Sequence, residues 1–472
     1  MDFFEKIFEP PEKDDKDKIK LTTDIDKNLE ELKEAFNLCD DVVFRDFVVG
    51  KNQNFKFASI CIEGLSNGDF VNDYILKNLM VFARLTEPDV SKIKDKLYDI
   101  TKQGIVSATS ISEVEDIKSA TDNILVGNTV LLIDGYEKAI MVETKGWPQR
   151  SISEPETDAV VRGSREGFTE TLRVNTALVR RRIRDTRLKI KQLKIGERSC
   201  TDVAVLFIED IVNKDILETV VYRLNQIDID AIMESGYIEQ LIEDNYRSPF
   251  PQIQSAERPE KVVAGLYEGR VAIIVDNTPF VLIIPTTLNT LLQASEDYNN
   301  RFIFSSFIRI IRYISVFISV ALPSIYIALL SFHPGMIPTQ LALYIAGNRE
   351  GVPFPAVVEA FMMAFALELL REAGIHLPGS IGATIGIVGG LVLGQAAVEA
   401  GIVSSLMVVI IAITAIANYS IPNYSFAITF RLLRFIYMIL AAIFGLYGVI
   451  LGMLCTLIHM ANLKSFGVPY LS

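Results

Sequence analysis

The sequence predicts an α/β region of two similar, duplicated subdomains followed by an α-helical multi-pass transmembrane bundle. Three observations carry this expectation. Charge is concentrated in the first part of the chain, and no Asp occurs after Arg301. Three sequence motifs recur in the same order before that point. Beyond it come apolar stretches long enough to cross a bilayer.

The 472 residues carry 46 Lys+Arg against 58 Asp+Glu, a net charge of −12, and this acidic balance argues against nucleic acid as a partner. Residues 1–24 open with MDFFEKIFEPPEKDDKDKIK. They lack the basic segment and apolar run of a signal peptide and read as a disordered charged tail. Cys39, Cys61, Cys200 and Cys455 are scattered without a CxxC pair, so neither a disulfide framework nor a zinc site is expected, and the setting reads as reducing.

The first subdomain is expected over 25–145 and the second over 200–298. FKFASICIEG (Phe55 to Gly64) resembles TDVAVLFIED (Thr201 to Asp210), VNDYIL (Val71 to Leu76) meets VNKDIL (Val212 to Leu217), and GNTVLLIDG (Gly127 to Gly135) meets GRVAIIVDN (Gly269 to Asn277). Each half reads as strand, helix, mixed segment and hairpin. Asp134-Gly135 and Asp276-Asn277 supply residues that tolerate positive φ at the hairpin turns. Between the halves, residues 146–199 read as an extended connector, interrupted at Trp147-Pro148 and Glu154-Pro155, and a basic helix from Glu166 onward. Arg162, Ser164 and Arg165 near that helix start form a candidate anion site, although a basic helix paired with acidic neighbours or lipid headgroups explains the same residues.

The histidines are His333, His376 and His459, so the α/β region has no Ser-His-Asp or Cys-His constellation, and neither GxxxxGK[ST] nor GxGxxG occurs. An enzyme, a bound cofactor and a metal site are therefore not expected.

The transmembrane domain, 299–472, contains spans near 306–331, 381–400, 402–421 and 435–460, with a charged helix at 356–373 as a fifth candidate. Arg301, Arg309 and Arg312 before the first span put the α/β region in the cytoplasm by the positive-inside rule. Glu359, Met363, Ala366 and Leu370 share one face of the charged helix. Glu368, about 180° away, crowds the other side with Arg371 and Glu372. Ionisable groups at bilayer depth tend to face a protein interior or water, so the Glu359 face, with Thr414 and Asn418 in the span 402–421, is the candidate pore lining. Gly382, Gly386, Gly390 and Gly394, four residues apart, predict a helix-packing groove, and Gly445, Gly448 and Gly452 favour tight packing in the last span.

The motifs from His333 through Pro355, LLREAGIHLPGSIG (Leu369 to Gly382), IVGGLVLGQAAVEAGIVS (Ile387 to Ser404) and the closing SFGVPYLS closely resemble the A subunit of bacterial spore germinant receptors, the GerA family. The segment WPQRSISEPETDAVVRGSREGFTETLRVNTALVRRRIRD is similar to the same family. This resemblance implies a multi-pass protein of the spore inner membrane, partnered by a transporter-like B subunit and a lipoprotein C subunit. It further implies a homo-oligomer, with a pentamer as the expected form, acting as a nutrient-gated ion channel in germination. A secondary transporter, or a germination membrane protein of the related stage V sporulation type, is the alternative reading.

Overall fold

The structure, a computed structural model, describes residues 19–49, 55–77, 79, 98, 111–146, 162–376, 390 and 392–472. The connector breaks at Trp147-Pro148 and Glu154-Pro155 lie outside the described residues. The chain divides into two compact units, an α/β unit and a helical unit that unites Pro285–Ser472 with Glu243–Gln254.

In the α/β unit the first repeat runs α1 (Ile25–Ala35), β1 (Val42–Val49), β2 (Phe55–Ile62), α2 (Gly68–Phe70, continued by a π-helical stretch Val71–Leu76), β3 (Ile111–Val114), α3 (Ile117–Leu125), β4 (Thr129–Ile133) and β5 (Ala139–Val142). The second runs α4 (Leu172–Arg182), β6 (Leu188–Ile195), β7 (Thr201–Ile208), α5 (Lys214–Asn225), α6 (Ser235–Ile242), β8 (Gln254–Ala256), α7 (Pro259–Tyr267), β9 (Val271–Val275) and β10 (Val281–Ile284). The two five-stranded sheets have the same topology, β1-β2-β4-β5-β3 and β6-β7-β9-β10-β8.

Strand alternation explains the shared layering. Ala58, Ile60 and Ile62 turn one face of the first sheet toward Leu29 and Leu32 of α1 and Ala120 and Ile124 of α3. Ala204, Leu206 and Ile208 do the same toward Leu178 and Val179 of α4 and Val262 and Leu266 of α7. Each of the buried Leu, Ile and Val side chains contributes about 1.5–3 kcal/mol on burial. Both hairpin turns take positive φ as expected, at Gly135 (89°) and Asn277 (70°).

The helix entries repeat too. Asn28 Oδ1 accepts from the Thr22 amide at 2.9 Å while its Nδ2 donates to the Thr22 carbonyl at 2.7 Å. Asn175 and Thr169 make the same two bonds at 2.8 and 2.6 Å. The repeat is therefore wider than expected: α4 and β6, placed by sequence in the 146–199 connector, are the counterparts of α1 and β1. The recurring motifs missed them because α1 and α4 share a capping pattern, not a run of similar residues.

The repeats are joined through their own backbones. The Asp40 amide donates to the Ile190 carbonyl at 2.9 Å and the Ile190 amide to the Leu38 carbonyl at 3.1 Å. Helix α4 lies between the two cores, with Ala177 in the first and Leu178 and Val179 in the second. Gly64, at φ 84°, allows the contact, since a β-carbon there would stand 2.8 Å from the Arg173 carbonyl.

The helical unit comprises α8 (Phe302–Phe332), α9 (Thr339–Arg349), α10 (Ala356–His376), residues 392–399 in a further helix, α11 (Ser405–Tyr419) and α12 (Tyr424–Asn462). Among the described residues, α8 and α12 are long and apolar enough to cross a membrane by length and composition. The helix that covers the expected last span at 435–460 is not straight. Gly445 adopts φ 61° and ψ −142°, and α12 bends there. The Tyr437 hydroxyl then lies 2.9 Å from that of Thr456, a distance that an unbroken helix would stretch to roughly 28 Å. The two limbs form a hairpin because glycine has no side chain: a β-carbon on Gly448 would stand 2.2 Å from the Leu440 carbonyl oxygen.

Strands Lys464–Ser465 and Val468–Pro469 then pair as a small terminal hairpin. Ser465 Oγ donates to the Gln252 carbonyl at 2.6 Å, the Tyr470 hydroxyl to the Pro251 carbonyl at 3.0 Å, and the Asp244 carboxylate accepts from the Phe466 amide at 2.7 Å. The SFGVPYLS ending thus clamps the Glu243–Gln254 segment, and Phe250 packs among Phe426, Phe430, His459 and Tyr470.

Candidate functional site: buried charges of the helical unit

Contacts fix the helix directions. The Arg434 Nε donates to the Ser319 carbonyl at 3.0 Å, and the tip at Gly445 meets Phe332, so α8 and the first limb of α12 run together. The starts of α10 and α11 meet through Glu359, and their ends meet where Arg371 lies 4.9 Å over the Tyr419 ring. Both run opposite to α8.

Three carboxylates sit inside this bundle, each against arginine. Asp297 accepts from Arg312 at 2.6 Å and from Arg309 at 3.2 Å. Glu359 has no exposed surface. One of its oxygens accepts from Arg349 at 2.7 Å and the other from the Ser404 amide at 3.0 Å, so it ties the end of α9 and the start of α11 to α10. Glu368 faces Arg371 at 3.5 Å, Arg431 at 3.3 Å and Arg434 at 4.0 Å. The opposite facing of Glu359 and Glu368 and the local pairing of Arg371 follow from helical spacing. Arg349, Arg431 and Arg434 as partners do not, because they come from other helices.

The remaining lining candidates fall as follows. Met363, Thr414 and Asn418 are buried, and Ala366 and Leu370 are half-buried. Thr414 donates to the Ile410 carbonyl at 2.7 Å and Asn418 to the Ala427 carbonyl at 3.1 Å. Within one chain these polar groups are satisfied by the bundle itself. In the expected glycine groove, Gly394 would bring a β-carbon to 3.4 Å from Val408, Gly390 faces nothing within 4 Å among the described residues, and Gly382 and Gly386 lie outside the described residues. Close packing occurs at Gly445, Gly448 and Gly452.

The candidate anion site does not assemble at a helix start. Helix α4 begins at Leu172, and its first amide donates to Asp276 at 2.9 Å. Arg162 and Arg165 are exposed, while the Ser164 amide donates to Glu260 at 3.1 Å and its hydroxyl accepts from Arg182 at 3.3 Å. The basic helix is paired with acids: Arg181 and Arg182 both hold Glu166, and Arg173 holds Glu63 at 3.1 Å. Arg180, with no exposed surface, is bidentate to Asp41 of the first repeat at 3.0 and 2.8 Å and donates to the Leu188 carbonyl at 2.8 Å. Desolvation opposes its charge, but Asp41 outweighs it and holds the guanidinium above its ordinary value.

The family described as Bacillus/Clostridium GerA spore germination protein matches residues 30–472. The chain is 44% identical over 452 residues to the uncharacterized membrane protein YfkQ of Bacillus subtilis, covering 96% of this chain and 86% of that one. It is 48% identical over 359 residues to spore germination protein A1 of the same organism, covering 76% and 74%. A crystal structure of the N-terminal domain of the A subunit of the Bacillus megaterium spore germinant receptor GerK3 is 32% identical, covering 57% of this chain and 97% of that one, with a TM-score of 0.42.

Proposed function

The chain belongs to the GerA spore germination protein family, and from that premise we propose that it is a germinant-receptor A subunit of the spore inner membrane that converts nutrient sensing into ion release as an oligomeric gated channel. Partners of the B and C subunit types complete the receptor, and the chain itself carries out no enzymatic reaction. The observation that carries the gated reading is Glu359. A carboxylate with no exposed surface is held by Arg349 at the end of α9 and by the first turn of α11, so any shift of α9 exposes an uncompensated charge on α10. Such a charge attracts water and cations into the bundle.

The Glu243–Gln254 segment and the closing tail lie together on the cytoplasmic side, with α8 and the first limb of α12 leaving it and α10, α11 and the second limb returning. The clamp of Ser465 and Tyr470 on Gln252 and Pro251 supports that topology. A cysteine placed at Ser472 should react with impermeant reagent only from the cytoplasmic face, and labelling from outside would reverse the topology. Purified protein in planar bilayers should conduct ions, and Glu359→Gln should change the open probability while the protein remains folded. Absence of conductance in wild-type protein reconstituted with its B and C partners and nutrient would rule out the channel.

A further inference from the structure

We propose that Arg371, Arg431 and Arg434 form a binding site for a phosphate-class anion, either a lipid headgroup phosphate or free phosphate, where α10 and α11 end and α12 begins. Three guanidinium groups converge there on one carboxylate, leaving two positive charges uncompensated among the described residues. Glu368 takes hydrogen bonds from only two of them. Five buried nitrogens have no hydrogen-bond partner among the described residues: Nε and Nη2 of Arg371, Nε of Arg431, and Nη1 and Nη2 of Arg434. Arg434 has no exposure and the Arg371 side chain only 9%. Buried cations left in this state are destabilising unless an anion meets them. Phosphate oxygens match the guanidinium fork and can take several donors at once.

The surroundings favour that occupant. The open flank of the cluster is Glu368, with 25% of its side chain exposed, beside Arg431 with 12%. Arg371 lies over the Tyr419 ring and Arg431 over the Tyr424 ring at 5.7 Å, which fixes the guanidinium planes, and both tyrosines are exposed, as aromatic residues at the headgroup level are. The Asp297 pair shows that the surplus is particular to this cluster. There Arg312 also donates to the Leu292 carbonyl at 3.1 Å, and no buried nitrogen of Arg309 or Arg312 is left over.

The site does not require the channel reading, because a non-conducting protein would bind the same anion. Full-length protein in neutral detergent is titrated with inorganic phosphate by calorimetry. In parallel, protein from nanodiscs of phosphatidylcholine with and without phosphatidylglycerol is examined by native mass spectrometry. Arg431→Gln, at the rim, should weaken binding by roughly tenfold or more with unchanged helical circular dichroism, and Glu368→Gln should tighten it by removing the competing carboxylate. A response to phosphate identifies a soluble anion, and retention of phosphatidylglycerol alone identifies a lipid; either supports the site. Equal behaviour of wild type and Arg431→Gln in both arms, or weaker binding by Glu368→Gln, overturns it.

Discussion

Arg180 in the α/β unit and Arg434 in the helical unit are both arginines with no exposed surface, yet they are served very differently. Arg180 meets a carboxylate of its own, Asp41, in two parallel bonds, and a backbone carbonyl takes another donor. Arg434 makes one bond, to a carbonyl of α8, and shares Glu368 with two other arginines. A buried pair whose donors are used up holds elements together, here the two repeats. A buried surplus of donors holds its elements less firmly and is ready to receive something else.

Asp41→Asn leaves Arg180 buried without its counter-charge, and full-length protein should lose about 3–5 kcal/mol in a urea titration read by pulse proteolysis of the α/β region. A loss below 1 kcal/mol would mean that the pair is not what locks the repeats together. Next comes the hairpin that brings Arg434 and the tail into place. Gly448→Ala forces a β-carbon into the Leu440 carbonyl and should cost about 1–3 kcal/mol, seen as a lower melting temperature in detergent. Gly390→Ala, where a β-carbon meets nothing within 4 Å among the described residues, should leave that temperature unchanged.

A subtler test uses pH. Burial raises the Glu166 pKa, but hydrogen bonds from Arg181 and Arg182 outweigh it and hold the carboxyl below the usual glutamate range. Its contribution is therefore present above the ordinary glutamate value, about 4.3, and is lost as pH falls through the depressed native value. With a third of the side chain exposed, the effect is under about 1 kcal/mol. Glu166→Gln should lower stability by that amount at pH 7–8 and converge on wild type in acid below the depressed native value, whereas an equal loss in acid and at pH 8 would show that packing, not charge, is what Glu166 supplies. The smallest effect concerns thiol reactivity. Burial, with Glu63 beside it, pushes Cys61 up to about 11, so maleimide at pH 7 should modify exposed Cys200 well before Cys61 in the folded protein.

Much of the α/β unit was legible because duplication writes the same alternation twice. Ala58, Ile60 and Ile62 recur as Ala204, Leu206 and Ile208, and both hairpin turns carry residues suited to positive φ. What the recurrence hid were β1, β6 and α4, whose similarity lies in hydrogen-bond patterns such as Asn28 with Thr22 and Asn175 with Thr169. In the helical unit, helical spacing separated Glu359 from Glu368 but named none of their partners on other helices.

By itself the sequence determined the acidic α/β repeat, the apolar second half and the family to which the chain belongs, because each is written in neighbouring residues or in periodicity along one element. Only the tertiary structure decided that α12 doubles back at Gly445, that the final residues clamp Gln252 and Pro251, and that three arginines converge on Glu368. Those features depend on contacts between residues far apart in the chain, where the absence of a side chain or the surplus of a charge acquires meaning only when another helix comes near.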